Sequence, residues 1–262
     1  MLLTIAEYRN TPNAFDSEAE AVGDLIDGLA ILRENLPPAG VWSLAAWSRQ
    51  GVTHRSRSKN LLAEACRAPG GGTLAPNRVV EIAREVFPKT TLATTGTGAH
   101  ALVAAAFWET YEPKSFLCSA NLGGVGYALP AAIAAKLEAP NRPVLAFMGD
   151  NGFLLNLPEV ATATRLESPL VMVVFVDDAL SLPRVAQEQK RYAPLGVALN
   201  SMDIPKIAEG LGALGTAVED EAGLRMALTD ALHTTKPAII AARVNPRGYR
   251  RMLERIRGRV ER

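Results

Sequence analysis

Residues 143–152 read Pro143-Val144-Leu145-Ala146-Phe147-Met148-Gly149-Asp150-Asn151-Gly152, and residues 170–178 read Leu170-Val171-Met172-Val173-Val174-Phe175-Val176-Asp177-Asp178. Each is an unbroken apolar run that stops abruptly at an acidic residue. A strand with one face in water would alternate apolar and polar side chains. A uniformly apolar run is what a strand needs when both of its faces are covered, as in a parallel sheet sandwiched between helices. Glycines and an asparagine after the first run mark a turn there.

Outward from these two runs the pattern alternates. On the N-terminal side a helix is expected over 77–87, a short strand over 90–95, an alanine-rich helix over 99–108, a strand over 115–119 and a helix from the glycines at 123–126 to about 137. On the C-terminal side helices are expected over 157–166, 204–213 and 221–232, with strands over 216–218 and 238–244. Strands alternating with helices predict an α/β fold, a doubly wound, mainly parallel sheet with helices on both faces. Before residue 74 the texture differs. One amphipathic helix is expected over 16–35, capped at Asp16 or Ser17, and Pro37-Pro38 stops it. A polar, basic stretch through His54, Arg55, Arg57 and Lys59 follows, and Pro69-Gly70-Gly71-Gly72 reads as a linker over 68–75. The end of the chain carries Arg247, Arg250, Arg251, Arg255, Arg257, Arg259 and Arg262, read as a solvated basic tail, with an acidic partner surface as the other reading.

The chain has 262 residues, is 48% hydrophobic and 21% charged, and carries a formal net charge of +1. Near-neutral charge removes the electrostatic argument for nucleic acid or an anionic membrane as main partner. The two cysteines, Cys66 and Cys118, give neither a disulfide framework nor zinc spacing, which points to a reducing, cytoplasmic setting. No stretch of eighteen apolar residues offers a membrane span, and no basic segment followed by an apolar one opens the chain.

In doubly wound sheets ligands sit outside the carboxyl ends of the strands, so the residues just after each strand carry the information. Gly96-Thr97-Gly98-Ala99-His100-Ala101 matches G-x-G-x-x-A between a strand and a helix, a pattern that lets backbone approach a phosphate at a helix N-terminus. The acidic residue that a dinucleotide site wants some twenty positions on is absent, and the neighbourhood reads Cys118-Ser119-Ala120-Asn121. Taken singly, His100 also reads as a plain helix-start residue. Gly123-Gly124-Val125-Gly126 holds three glycines in four residues; a tight turn explains two, and the third favours a ligand against the chain. Asp150 ends the first apolar run and reads as a metal ligand or as a helix cap. Asp177-Asp178 ends the second, and two adjacent carboxylates there repel unless solvent or a cation separates them. If the two strands are neighbours, Asp150 and Asp177 emerge side by side, and carboxylate, carbonyl, water and phosphate oxygens complete the octahedral shell that Mg2+ prefers.

This combination resembles the thiamine diphosphate enzymes. Gly149-Asp150, Pro169 nineteen positions later and the acidic pair beginning twenty-seven after Asp150 are similar to their metal-diphosphate signature, written Gly-Asp-Gly with Asn-Asn about thirty residues on. Tyr111-Glu112-Pro113-Lys114-Ser115-Phe116 and Gly124-Val125-Gly126-Tyr127-Ala128-Leu129-Pro130-Ala131-Ala132-Ile133 resemble the diphosphate-binding domain of the acetolactate synthase and benzoylformate decarboxylase group, over residues 74–246. The resemblance implies thiamine diphosphate and Mg2+ as cofactors and a 2-oxo acid as substrate. It implies Asp150, Asp177 and the Ala179 carbonyl as metal ligands. Gly98, Ala99, His100, Asn151 and Gly152 would hold the diphosphate, and Leu180 would line the cofactor. The Gly123 carbonyl would accept a hydrogen bond from the cofactor's 4'-amino group, and Val125 would prop the bent conformation that brings this group to the thiazolium carbon.

The departures from the family pattern are Asn151 for the third position of Gly-Asp-Gly, Asp177 for the usual asparagine and Val125 for a bulkier prop. The resemblance also implies an arrangement: residues 1–73 as a helical remnant of a middle domain plus linker, 74–246 as the cofactor-binding domain and 247–262 as a basic tail. The family's pyrimidine-binding domain, whose glutamate activates the cofactor across a subunit interface, has no counterpart here. The expectation is therefore a homo-oligomer, a dimer or tetramer, with a separate pyrimidine-domain subunit as possible partner. A non-catalytic cofactor-binding or assembly subunit is the alternative, and a dinucleotide oxidoreductase a third reading.

Overall fold

The computed structural model describes residues 3–6, 19–22, 24–35, 44–67 and 73–257. It divides into two compact units, Met1–Arg55 and Ser56–Arg262. In the first, β1 (Leu3–Ala6) and β2 (Ala19–Val22) form a parallel pair, followed by α1 (Leu25–Asn35) and the start of α2 (Leu44–Cys66). The single helix expected over 16–35 is thus split. Asp24 opens α1 instead, its Oδ1 accepting from the backbone N–H of Ile26 at 2.8 Å and of Asp27 at 3.2 Å. The caps proposed at Asp16 and Ser17 lie outside the described residues. The basic stretch through Lys59 is helical, since α2 runs through it, and residues 68–72 of the expected linker also lie outside the description.

The second unit is built on six parallel strands in the order β4-β3-β5-β6-β8-β7. These are β3 (Leu92–Thr95), β4 (Phe116–Cys118), β5 (Val144–Gly149), β6 (Val171–Val176), β7 (Leu214–Val218) and β8 (Ala238–Arg243). Between them run α3 (Pro76–Val86), α4 (Ala99–Phe107), α5 (Ala128–Glu138), α6 (Asp150–Leu154), α7 (Leu157–Arg165), α8 (Ser181–Gln189), α9 (Ile204–Gly210) and α10 (Glu221–Leu232), and α11 (Arg247–Arg257) closes the series. Local chemistry sets several boundaries. Pro76 occupies the first turn of α3, and Asp203 and Asp220 cap α9 and α10 through the N–H groups of Lys206 and Gly223.

The uniformly apolar strands divide their side chains by alternation. Leu145, Phe147, Val171, Val173, Phe175 and Ile240 pack on one face with residues of α3, α4, α10 and α11. Ala146, Met148, Met172, Val174, Val176 and Ile239 pack on the other with residues of α5, α7 and α9. Both faces are covered, so the runs needed no polar positions.

Two departures bear on the site. The compact unit begins before the expected boundary at 74, because Cys66 is fully buried and Leu62 and Ala63 pack against the first core. Nor is the basic tail simply solvated. Tyr249, Met252 and Leu253 are buried while Arg247, Arg250 and Arg251 face water, so α11 is amphipathic. Gly248 is what lets it settle: a Cβ there would lie 2.6 Å from the Cys66 carbonyl oxygen. Among the described residues no helix is long and apolar enough to cross a membrane.

Candidate functional site

The chain leaves β3 outward to β4 and returns as β5 on the other side of β3, which makes the carboxyl ends of β3 and β5 a topological switch point. A cavity of about 350 Å3 opens there. Its wall comes from the loops after three adjacent strands: Thr97 to His100 after β3, Gly149 to Gly152 after β5, and Asp177 with Ala179 to Pro183 after β6. Val125, Phe175 and Tyr249 complete it. Of the residues singled out from sequence, Gly98, Ala99, His100, Val125, Asp150, Asn151, Gly152, Asp177, Ala179 and Leu180 all line this cavity. Gly123 does not reach the wall; it turns the loop that delivers Val125, with φ of 66°.

The glycine loop has two distinct tasks. Gly123 and Gly126 take positive φ, whereas Gly124 does not, and its N–H donates to Ser119 Oγ at 3.2 Å. Gly126, at φ 91°, packs where any Cβ would fall 2.0 Å from Asn156 Nδ2, an amide that donates to the Gly152 carbonyl at 2.9 Å. Gly126→Ala is expected to lower stability by about 1–3 kcal/mol, read from the urea midpoint. An unchanged midpoint would mean that Asn156 moves aside freely.

Asp150 begins α6 and is 2% exposed. Its Oδ1 accepts from the Asn151 N–H at 2.8 Å, and its Oδ2 from the N–H groups of Asp178 at 2.8 Å and Asp177 at 3.3 Å. The register that pairs Gly149 with Phe175 places these two strand ends together. Asp177 Oδ1 accepts from the Ala179 N–H at 3.3 Å and its Oδ2 from the Ser181 hydroxyl. Burial, reinforced by the neighbouring Asp150 charge, pushes the Asp177 carboxyl up to about 7, and burial raises Asp150 as well.

The repulsion expected within Asp177-Asp178 is resolved by direction. Asp178 takes a left-handed conformation, φ 54°, and pairs with Arg243 at the end of β8, leaving Asp177 to the cavity. Among the described residues no three His, Cys, Asp or Glu side chains form a metal-holding group. A cation held between Asp150 and Asp177 would have to take its other ligands from carbonyls, water or a bound oxyanion, an all-oxygen shell that suits Mg2+. A buried and a half-buried carboxylate, both pushed toward protonation and each with lone pairs to spare, fit such an ion.

His100, at the N-terminus of α4, is 5% exposed, and burial lowers its pKa to about 4, so the ring is neutral. Its Nε2 is buried without a hydrogen-bond partner. The ring has room only because residue 98 lacks a side chain, since a Cβ there would lie 2.6 Å from His100 Cε1. An unpaired ring nitrogen beside a glycine cradle and the N–H groups of α4 and α6 makes a place for an oxyanion.

Sequence reasoning missed Ser181 and Tyr249. The hydroxyl that holds Asp177 lies in α8, a helix not expected from the pattern. Tyr249 lay inside the supposed tail, where the spacing of 249, 252 and 253 was a helical signal hidden among arginines. Burial, with the charges of Asp177 and Asp150, holds its phenol well above the usual tyrosine range, so it is a hydrogen-bond donor at neutral pH.

A family profile for the thiamine pyrophosphate enzymes, C-terminal TPP binding domain, matches residues 96–242. The chain is 32% identical over 165 residues to an acetolactate synthase of Bacillus subtilis (strain 168), covering 63% of this chain and 29% of that protein. It is 29% identical over 231 residues to a catabolic acetolactate synthase of Raoultella terrigena, covering 88% and 41%. The fold superposes on a thiamine diphosphate-dependent 4-hydroxybenzoylformate decarboxylase of Rhodococcus jostii RHA1 with a TM-score of 0.68 at 21% identity, covering 89% of this chain and 41% of that one. The chain thus spans well under half the length of these relatives.

Proposed function

Since the chain belongs to the thiamine pyrophosphate enzymes and carries their C-terminal TPP-binding domain, we propose that it is the thiamine diphosphate- and Mg2+-holding part of a 2-oxo acid decarboxylase or an acetolactate synthase-like carboligase. The activating glutamate would then come from a pyrimidine-binding domain outside these residues. What carries the reading is the convergence of the loops after β3, β5 and β6 on one cavity that holds two carboxylates, Asp150 buried and Asp177 half-buried.

In this reading Asp150, Asp177 and the Ala179 carbonyl hold Mg2+. Gly98, Ala99, His100, Asn151 and Gly152 hold the diphosphate, His100 offering Nε2 and the helix starts their N–H groups. Val125 props the aminopyrimidine, Leu180 lines the pocket, and Gly123, which stands behind the wall, turns the loop that presents Val125. Tyr249 donates a hydrogen bond into the same space. Thiamine diphosphate supplies the carbon nucleophile and electron sink for breaking or forming a bond beside a carbonyl. The protein supplies position and keeps Tyr249 protonated. Leu122 and Val125, 90% and 48% exposed in the loop that reaches the cavity, support an oligomer that covers them.

A melting series tests the reading. Thiamine diphosphate with Mg2+ should stabilise the chain by about 2.7 kcal/mol at a hundredfold excess over the dissociation constant, and NAD should not. A shift with NAD alone would overturn it. Pyruvate or benzoylformate should not turn over with the chain alone, and should do so once a pyrimidine-domain subunit is added. Cofactor binding without turnover in that mixture would favour the non-catalytic subunit, a reading that the small prop Val125 keeps in view.

A further inference from the structure

A second concavity, about 910 Å3, lies between α8 and α11 and meets the cofactor cavity at Ser181, which lines both. Both helices wall both spaces: α11 gives Tyr249 to the cavity and Arg247, Arg250 and Arg251 to the groove, while α8 gives Ser181 to both and Arg184 to the groove. With Arg191 the groove holds five arginines against two glutamates, Glu188 and Glu254, an excess of three positive charges. The whole chain has a net charge of only +1, so this is a local concentration.

The glutamates are already engaged. Arg184 pairs with Glu188 at 3.1 Å, and Arg250 with Glu254 at 3.1 Å and Glu188 at 3.6 Å. Among the described residues Arg191, Arg247 and Arg251 have no carboxylate partner, and Arg251 reaches only the Arg67 carbonyl at 3.4 Å. Guanidinium groups stay charged at any working pH and present flat forks that match carboxylate, sulfonate or phosphonate oxygens. A simple 2-oxo acid has one carboxylate, attached to the carbon that reacts. Three groove arginines without carboxylate partners have no counterpart in such a molecule.

We propose that the α8–α11 groove selects a 2-oxo acid bearing a second anionic group on its side chain. The inference rests on reading the adjoining cavity as the cofactor site. The 2-oxo carboxylate end enters that cavity, and the distal anion lies across Arg247, Arg251 and Arg191.

The test is calorimetric titration of the chain, with and without thiamine diphosphate and Mg2+, using 2-oxoglutarate and sulfopyruvate against pyruvate. The dianions should bind roughly tenfold or more tightly than pyruvate, and more tightly with the cofactor loaded than without. Arg247→Gln with Arg251→Gln, and separately Arg191→Gln on another element, should remove the preference while thiamine diphosphate affinity and melting temperature stay unchanged. Equal binding of pyruvate, or a preference that survives both variants, overturns the inference. Dianion or inorganic phosphate binding that ignores the cofactor makes the groove a separate effector site and overturns it as a substrate site. Failure of thiamine diphosphate itself to bind defeats the cofactor reading instead, and is seen independently of the groove.

Discussion

Asp150→Asn should abolish the stabilisation that thiamine diphosphate and Mg2+ confer, about 2.7 kcal/mol at a hundredfold excess, while leaving a folded chain. The carboxylate does two jobs. It accepts backbone N–H groups from Asn151, Asp177 and Asp178, which fixes the turn after β6 against the turn after β5, and it offers the cavity a buried anionic oxygen. Asparagine keeps the shape and one acceptor oxygen but turns the other position into a donor facing donors. That loss is on the order of 1–3 kcal/mol, partly offset because no buried charge remains. Circular dichroism should therefore show a native-like spectrum, and equilibrium dialysis should show no cofactor-dependent retention of Mg2+. A variant that keeps the full ligand-dependent shift would remove Asp150 from the site.

Asp177→Asn should behave in the opposite sense. The Asp177 carboxyl titrates near 7 in the fold, against 3.8 as an ordinary aspartate. The folded state thus holds this proton more tightly than the unfolded chain. Its contribution to stability is fully present below about pH 4, is lost as pH rises through about 7, and is flat above. Without cofactor, the parent should lose a few kcal/mol relative to the asparagine variant across that window; the neutral, buried His100 favours the fold as pH rises above about 4 and acts on both chains alike, so the comparison isolates Asp177. Mg2+ takes the ionised form, so the stabilisation conferred by cofactor and metal should grow in the parent as pH passes 7. Asparagine still presents an oxygen, and its amide can donate to Ser181 Oγ in place of the present contact. Cofactor binding is thus expected to survive, and its complete loss in a titration would show that the acid is required.

The sheet was legible because both central strands are apolar at every position, a pattern that only two covered faces explain. Most of the cavity wall was legible too, since strand ends in such a sheet converge and Gly98, Asp150 and Asp177 each follow a strand. What stayed hidden was set by contacts distant in sequence. Nothing local announces that Asp178 will turn to Arg243, sixty-five residues on. Nothing in the arginines after 246 says that Gly248 will sit on the Cys66 carbonyl and carry Tyr249 inward. The N-terminal helix was drawn too long because Ala19-Glu20-Ala21-Val22 satisfies a helical and a strand period equally over four residues, and strand pairing decided between them.

The short span of α11 from Arg247 to Arg251 makes about one and a half turns, with the phenol of Tyr249 between guanidinium groups aimed the other way. A rotation of this helix that draws the phenol toward one occupant swings the arginines relative to the other. The two chambers then share a lever. By linkage, whatever factor filling the first applies to affinity in the second, filling the second applies to the first.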